Sequence, residues 1–449
     1  MFLLGTGCEK KTETTTPSSE TKLTSISFAA NDSFPGLKEA KFTVDFAPDT
    51  ALVYNPDSLR IGTRIDSVVA TFYFSTTIGY ATFYSDSDTV LIKANDTLNF
   101  MPRPCRLHVV SEDMEHDRYY NIFVNVHKVD PDLYVWTRTK ERLFSGNRDV
   151  HAETLGGAVL LFTQDGIGAE LYASETNGRD WDGPFSLTGL PKTANARNII
   201  ASDSLLYYTE SNRLYTSSDG ANWDSQDCSG LGFDVVNMLF YYNDSVWAVV
   251  RDPADGLLWF ATMAEGGTLA KQYQIGPVDD YFRTVDDGFP ISDFAAVTFL
   301  GKSLRKRAMI LGGFDINGHA LNSRWNLEWV DTDSDEGFYR LENFTIEQPS
   351  FKALTGAALV WYDEKILLFG AQLEGSTILN EPVFESKDEG MNWSVPDSAA
   401  LVMPAEFLPR QRLGITVTDD LAILLIGGQN KTTSFADVWR GKKNSIEWE

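Results

Sequence analysis

The sequence predicts an all-β protein, a small β-sandwich followed by a six-bladed β-propeller. Three observations carry this. Six short polar or glycine turns recur along the last two-thirds of the chain: Leu155-Gly156-Gly157, Ala201-Ser202-Asp203-Ser204, Tyr242-Asn243-Asp244-Ser245, Leu300-Gly301-Lys302, Tyr362-Asp363-Glu364 and Thr418-Asp419-Asp420. Each leads into an apolar run, as in Ala158–Phe162, Leu205–Tyr208, Val246–Val250, Ala308–Leu311, Ile366–Phe369 and Leu421–Ile426. One turn residue from each stands at 156, 203, 244, 302, 363 and 419, so the intervals are 47, 41, 58, 61 and 56 residues. Repeats of that length are propeller blades.

The bulk numbers agree with two folded parts. A chain of 449 residues exceeds one ordinary core. Hydrophobic residues at 43% and aromatics at 12% are enough to fill several. The net charge of −25 argues against nucleic acid, which needs clustered Lys and Arg. The nearest such run, Lys302 to Arg307, reads as a solvated hairpin end. No stretch of about 20 apolar residues offers a membrane-spanning helix. Of three cysteines, Cys105 and Cys228 fall in different predicted domains and read as buried free thiols.

Residues 1–20 come first. Met1 to Gly7 place small residues before Cys8, and Glu9–Glu20 is polar, a composition suited to a flexible tether. The segment resembles the tail of a bacterial lipoprotein signal, which implies lipidation at Cys8, a membrane partner through that anchor, and a cell-envelope location outside the cytoplasm.

Residues 21–130 have immunoglobulin-like length. Period-two alternation marks strands at Phe42–Phe46 and Tyr120–Val126, with further strands at Val68–Phe74, Tyr80–Tyr84 and Cys105–Val110. His108, His116 and His127 are too scattered for a metal cluster. Asp57–Thr63 and Arg106–Val126 resemble the small Ig-like β-sandwich modules near the anchor of Bacteroidota surface lipoproteins. That resemblance implies a spacer, in some cases one that touches glycan or protein.

The propeller is expected over residues 131–449. Three segments resemble the Asp-box hairpin of sialidase-like propellers: Ser174 to Trp181 with Gly178, Thr216 to Trp223 with Asp219 and Gly220, and Ser386 to Trp393 with Asp388 and Gly390. Short oxygens bond turn N–H groups, glycine accepts a positive φ and the indole closes the base, so the role is structural. Later blades resemble kelch repeats: Gly312-Gly313, Gly370-Ala371 and Gly427-Gly428 each end an apolar strand, with Trp325, Phe384 and Trp439 on the next. The glycines are expected to let the chain pass close to the blade behind. Together the two parts resemble an uncharacterised Bacteroidota lipoprotein family with an Ig-like domain before a six-bladed propeller. Leu133–Thr139 is similar to Ala436–Gly441 and competes with Ser445–Trp448 to complete the last blade.

Chemistry is harder to find. A sialidase-like site needs clustered arginines; Arg283, Arg410 and Arg412 are the rim candidates, and no Arg-Ile-Pro precedes the first hairpin. The pairs Asp279-Asp280 and Asp286-Asp287 read as solvated loops, and His151 and His319 alone cannot build a copper site. Asp331, Asp333, Asp335 and Glu342 match an EF-hand-type oxygen cage, making calcium the one cofactor with a pattern, although Glu336 stands where glycine belongs and the flanks read as strands. Trp259, Tyr281, Trp325 and Trp361 are aromatic ligand candidates. The resulting expectation is a binding or scaffolding module for a glycan or a cell-surface protein. The rival is a glycan-active enzyme of sialidase-like or sugar-epimerase type.

Overall fold

The structure is a computed structural model that describes residues 16–46, 51–86, 89–276, 285, 288–331, 337–347, 352–373, 377–379, 381, 383–397 and 400–444. Among these there is no α-helix, only strands and three short 3-10 turns. The chain divides into two compact units, one running to Asp132 and the other covering Leu133–Lys443.

The first unit is built from two sheets. Strands Leu23–Phe28, Val68–Phe74 and Thr97–Leu98 form one; the other has six strands in the order 43–46, 51–54, 117–123, 105–111, 78–84, 89–91. Alternation decides which side chains enter the core. On Cys105–Ser111, Cys105, Leu107 and Val109 are buried while Arg106 is exposed. These meet Ile26, Phe28, Ala70 and Phe72 of the smaller sheet in a single apolar cluster. The Tyr120 hydroxyl, at the centre, donates to the Thr21 carbonyl and accepts from the Leu23 N–H, each at 2.8 Å. Cys105 and Cys228 are buried free thiols, and burial pushes the Cys105 thiol up to about 11.

The second unit is the propeller. The predicted apolar runs are the second strand of each blade: Ala158–Gln164, Leu206–Glu210, Ser245–Arg251, Lys306–Leu311, Lys365–Phe369 and Ile423–Ile426. The innermost strands are Asp149–Leu155, Ile200–Ala201, Asp234–Tyr242, Ala295–Leu300, Ala358–Tyr362 and Gly414–Val417. Each touches the next, and the last touches the first. Six apolar clusters fill the six gaps between blades. The one joining blade 6 to blade 1 packs Leu424, Ile426 and Val438 against Val150, Val159 and Leu161. Blade 6 takes its outer strand from the start of the unit. Tyr134–Lys140 pairs antiparallel with Val438–Lys443, Trp136 opposite Gly441 and Arg138 opposite Trp439. The competing segment 445–448 lies outside the described residues.

Candidate functional site

The innermost strands surround a central channel. On Asp149–Leu155, Val150 and Ala152 are buried between blades, which turns Asp149, His151 and Glu153 to the axis. Two adjoining cavities of about 230 and 440 Å³ occupy that axis and share His151, Glu153, Arg197, Phe294, Ala296 and Thr298 as walls.

The mouth is set by backbone conformation. In blades 4, 5 and 6 the residue two places before the innermost strand has a positive φ: Asp293 at 51°, Gly356 at 62° and Arg412 at 55°. These three are joined in series, since the Gly356 N–H donates to the Asp293 carbonyl at 3.3 Å and the Arg412 N–H to the Gly356 carbonyl at 2.8 Å. A left-handed conformation outside glycine costs about 1 kcal/mol or more and is held only by its surroundings. Here both positions that are not glycine carry charge.

Those charges converge. Arg197 Nε lies 3.4 Å from Asp293 Oδ1; Arg412 Nη1 lies 3.8 Å from Asp293 Oδ2 and its Nε 3.2 Å from Asp149 Oδ1. Arg197 is held on a 3-10 turn whose cap, Asn195, accepts the Arg197 N–H at 3.1 Å, and its guanidinium also donates to the Val150 carbonyl. Its side chain is 10% exposed. Burial pulls its pKa below the ordinary arginine value against the opposing pull of Asp293, and a guanidinium stays protonated at neutral pH all the same. These ion pairs are close without being aligned as hydrogen bonds. Arg197 Nε, Arg412 Nε, Asp293 Oδ1 and nearby Asn237 Oδ1 are buried and have no hydrogen-bond partner. Deeper in the channel His151 Nε2 faces Glu153 Oε1 at 2.9 Å, a contact in which the ring N–H donates and the carboxylate accepts.

Of the residues expected from sequence, Arg412 stands at this mouth and Trp361 lines the channel, its ring stacked on Phe299 at 4.8 Å. Arg410 does not join them. It is 1% exposed, donates to Asp437 at 2.6 Å and to the Gly427 carbonyl at 3.0 Å, and sits between the rings of Phe407 and Phe435. Trp325 is buried between blades 3 and 4, edge-on to Phe289 at 5.1 Å. Trp259 is on the third strand of blade 3, away from the channel, under the Lys271 ammonium at 4.4 Å. Tyr281 and Arg283 lie outside the described residues.

The oxygen cage is described only at its two ends. Asp333 and Asp335 lie outside the described residues, but the two ends of the pattern are visible. Asp331 accepts the Trp329 indole N–H at 2.7 Å. Glu342 pairs across the hairpin with Asn326, while Val330 pairs with Phe338. Four residues of strand, about 13 Å, therefore separate Glu342 from the hairpin end beside Asp331. Among the described residues no group of three or more His, Cys, Asp or Glu could hold a metal. Cys8 also lies outside the described residues.

The serine–glycine–tryptophan turns are structural. Ser174 Oγ accepts the Gly178 N–H at 2.9 Å and Ser386 Oγ that of Gly390 at 2.8 Å; Trp181, Trp223 and Trp393 each donate their indole N–H to the carbonyl of the turn glycine. In blade 2 the serine is Ser217 rather than Thr216, and Asp219 accepts from the N–H groups of Ala221 and Asn222. A Cβ on Gly178 would strike Leu424 of blade 6, and one on Gly390 would strike Met309 of blade 4, each in the preceding blade. The glycine that directly ends each apolar strand does the opposite. A Cβ on Gly312 would meet the Leu354 carbonyl and one on Gly370 the Arg410 carbonyl, where the chain enters the following blade. They admit the next blade, not the one behind.

Sequence reasoning missed Arg197, Asp293, Asp149, Glu153 and Asn237, and weighed His151 only as a copper ligand. Aligning the blades would have found part of the cluster, because Asp293-Phe294-Ala295, Gly356-Ala357-Ala358 and Arg412-Leu413-Gly414 occupy equivalent places.

Compared with known proteins, residues 130–449 match the DUF6242 beta propeller domain and residues 8–124 match the DUF6242 N-terminal domain, a domain of unknown function. No curated protein matches the chain. Among solved structures one titled "Structure of YjhT" is similar at 10% identity, covering 67% of this chain and 96% of that one with a TM-score of 0.46.

Proposed function

The chain belongs to the DUF6242 family, and from that premise we propose that it is a binding protein whose propeller takes a hydroxyl-rich ligand, a glycan, at the mouth of its central channel. One observation carries the reading: Arg197, Asp293, Arg412 and Asp149 converge on the channel with buried donor and acceptor atoms left unfilled. A buried polar atom without a partner costs about 1–3 kcal/mol, which a ligand hydroxyl recovers because it both donates and accepts. Trp361 supplies an apolar wall further in. A glycan array probed with the purified chain tests this. Wild type gives reproducible spots, and Arg197→Ala or Arg412→Ala reduces them to background. A blank array moves the proposal to a protein partner.

A second reading is a glycan-active enzyme of sialidase-like or sugar-epimerase type. The His151–Glu153 pair favours it, since a histidine oriented by a carboxylate can move a proton beside the same cavity. Turnover on a glycan panel that disappears in His151→Gln would replace pure binding with catalysis.

The setting we propose is the cell envelope, with lipid on Cys8 and the N-terminal unit as a spacer. Its support is the small-residue run before Cys8 and the polar stretch after it. Mass spectrometry of the membrane fraction should find an acylated peptide at Cys8, and an unmodified cysteine there would remove the proposal.

A further inference from the structure

We propose that the ligand taken at this mouth is an uncharged sugar and that Asp293 is what excludes acidic ones; this rests on the glycan reading above. Each guanidinium at the mouth already faces a carboxylate: Arg197 faces Asp293, and Arg412 faces both Asp149 and Asp293. An incoming carboxylate would have to settle against the charge of Asp149 and Asp293 or displace one of them. Asp293 is 15% exposed, so displacement would strand a largely buried anion. The local count points the same way. Asp149, Asp293 and Glu153 outnumber Arg197 and Arg412, with the net charge of −25 adding a repulsive field at longer range.

A neutral sugar meets none of these obstacles. Adjacent hydroxyls can donate to Asp293 Oδ1 and accept from Arg197 Nε and Arg412 Nε, filling the buried atoms without moving a charge. The position also suits a specificity determinant. Asp293 touches both arginines, and its positive φ is tied by backbone to Gly356, so the carboxylate cannot swing away freely.

The test uses matched oligosaccharides that end in a hexose or in the corresponding hexuronate, differing only in a hydroxymethyl or carboxylate at C6, titrated calorimetrically into the full chain. Wild type should bind the neutral member at least about tenfold more tightly. Asp293→Asn keeps the shape and tolerates the left-handed backbone, but frees Arg197 and relieves Arg412 of one of its two carboxylates, so the preference should reverse. Asp149→Asn, on a more exposed side chain, should shift it in the same direction and serves if Asp293→Asn does not fold. Preference of wild type for the uronate, or a preference that neither variant changes, overturns the assignment while leaving a binding site at the mouth. Failure of every pair to bind, in wild type and variants alike, overturns the glycan reading with it.

Discussion

Arg410 and Arg412 are two residues apart and do opposite work. The positive φ of Arg412 turns its side chain to the channel, whereas Arg410 runs into the blade to meet Asp437. Removing Arg410 would strand a buried carboxylate, so Arg410→Ala should lose about 3–5 kcal/mol in chemical denaturation, and Lys should not restore the two-pronged contact. Arg412→Ala should change stability by about 1 kcal/mol or less, because its pairs are partly exposed, and should remove binding instead. Spacing in the sequence could not separate the two, because their roles depend on one backbone angle. The turn carboxylates add a dependence on pH. Burial acts to raise Asp219 and Asp388, yet the donors gathered round them, chiefly those of Asn222 and Asn392, hold both below 3.8. Their contribution is therefore complete above that value and lost as pH falls through the lower folded one. Urea midpoints taken between about pH 5 and 2 should fall less steeply in Asp219→Asn than in wild type.

At the level of the element, legibility followed burial. The second strand of each blade is apolar on both faces, as in Ser245–Arg251 with five consecutive buried residues, and such runs stand out in any sequence. The innermost strands are uneven: Ala358–Tyr362 is apolar, but Asp149–Leu155, which carries site residues, alternates polar and apolar positions, and Ile200–Ala201 is only two residues long. That is why the blades could be read and the site could not. The turn glycines were recognised, but the contacts that require them run to neighbouring blades and so have no local signature. Gly390→Ala combines a φ of 87° with a Cβ 2.6 Å from Met309 Sδ and should cost about 2–4 kcal/mol. Gly166→Ala has a similar φ of 83° in open space and should cost about 1 kcal/mol. Equal losses in denaturation would mean that the inter-blade contact contributes nothing.

For the whole molecule, closure of the ring is what makes a channel. The outer strand Tyr134–Lys140 joins the start of the propeller to its end, and the cluster around Leu424 and Val159 seals the last gap. A chain beginning at residue 145 would leave the Val438–Lys443 edge unpaired, and light scattering should show it self-associating where the full chain does not. Closure also brings together residues far apart in sequence: Asp149 and Arg412 meet only because blade 6 returns to blade 1. The measurement that tests the central claim most directly is hydrogen–deuterium exchange on the full chain with the strongest glycan from the array. Binding at the channel mouth predicts protection confined to the peptides covering 149–153, 195–201, 291–298 and 411–417. Protection on the outer strands of the blades, or none despite saturation, would contradict it.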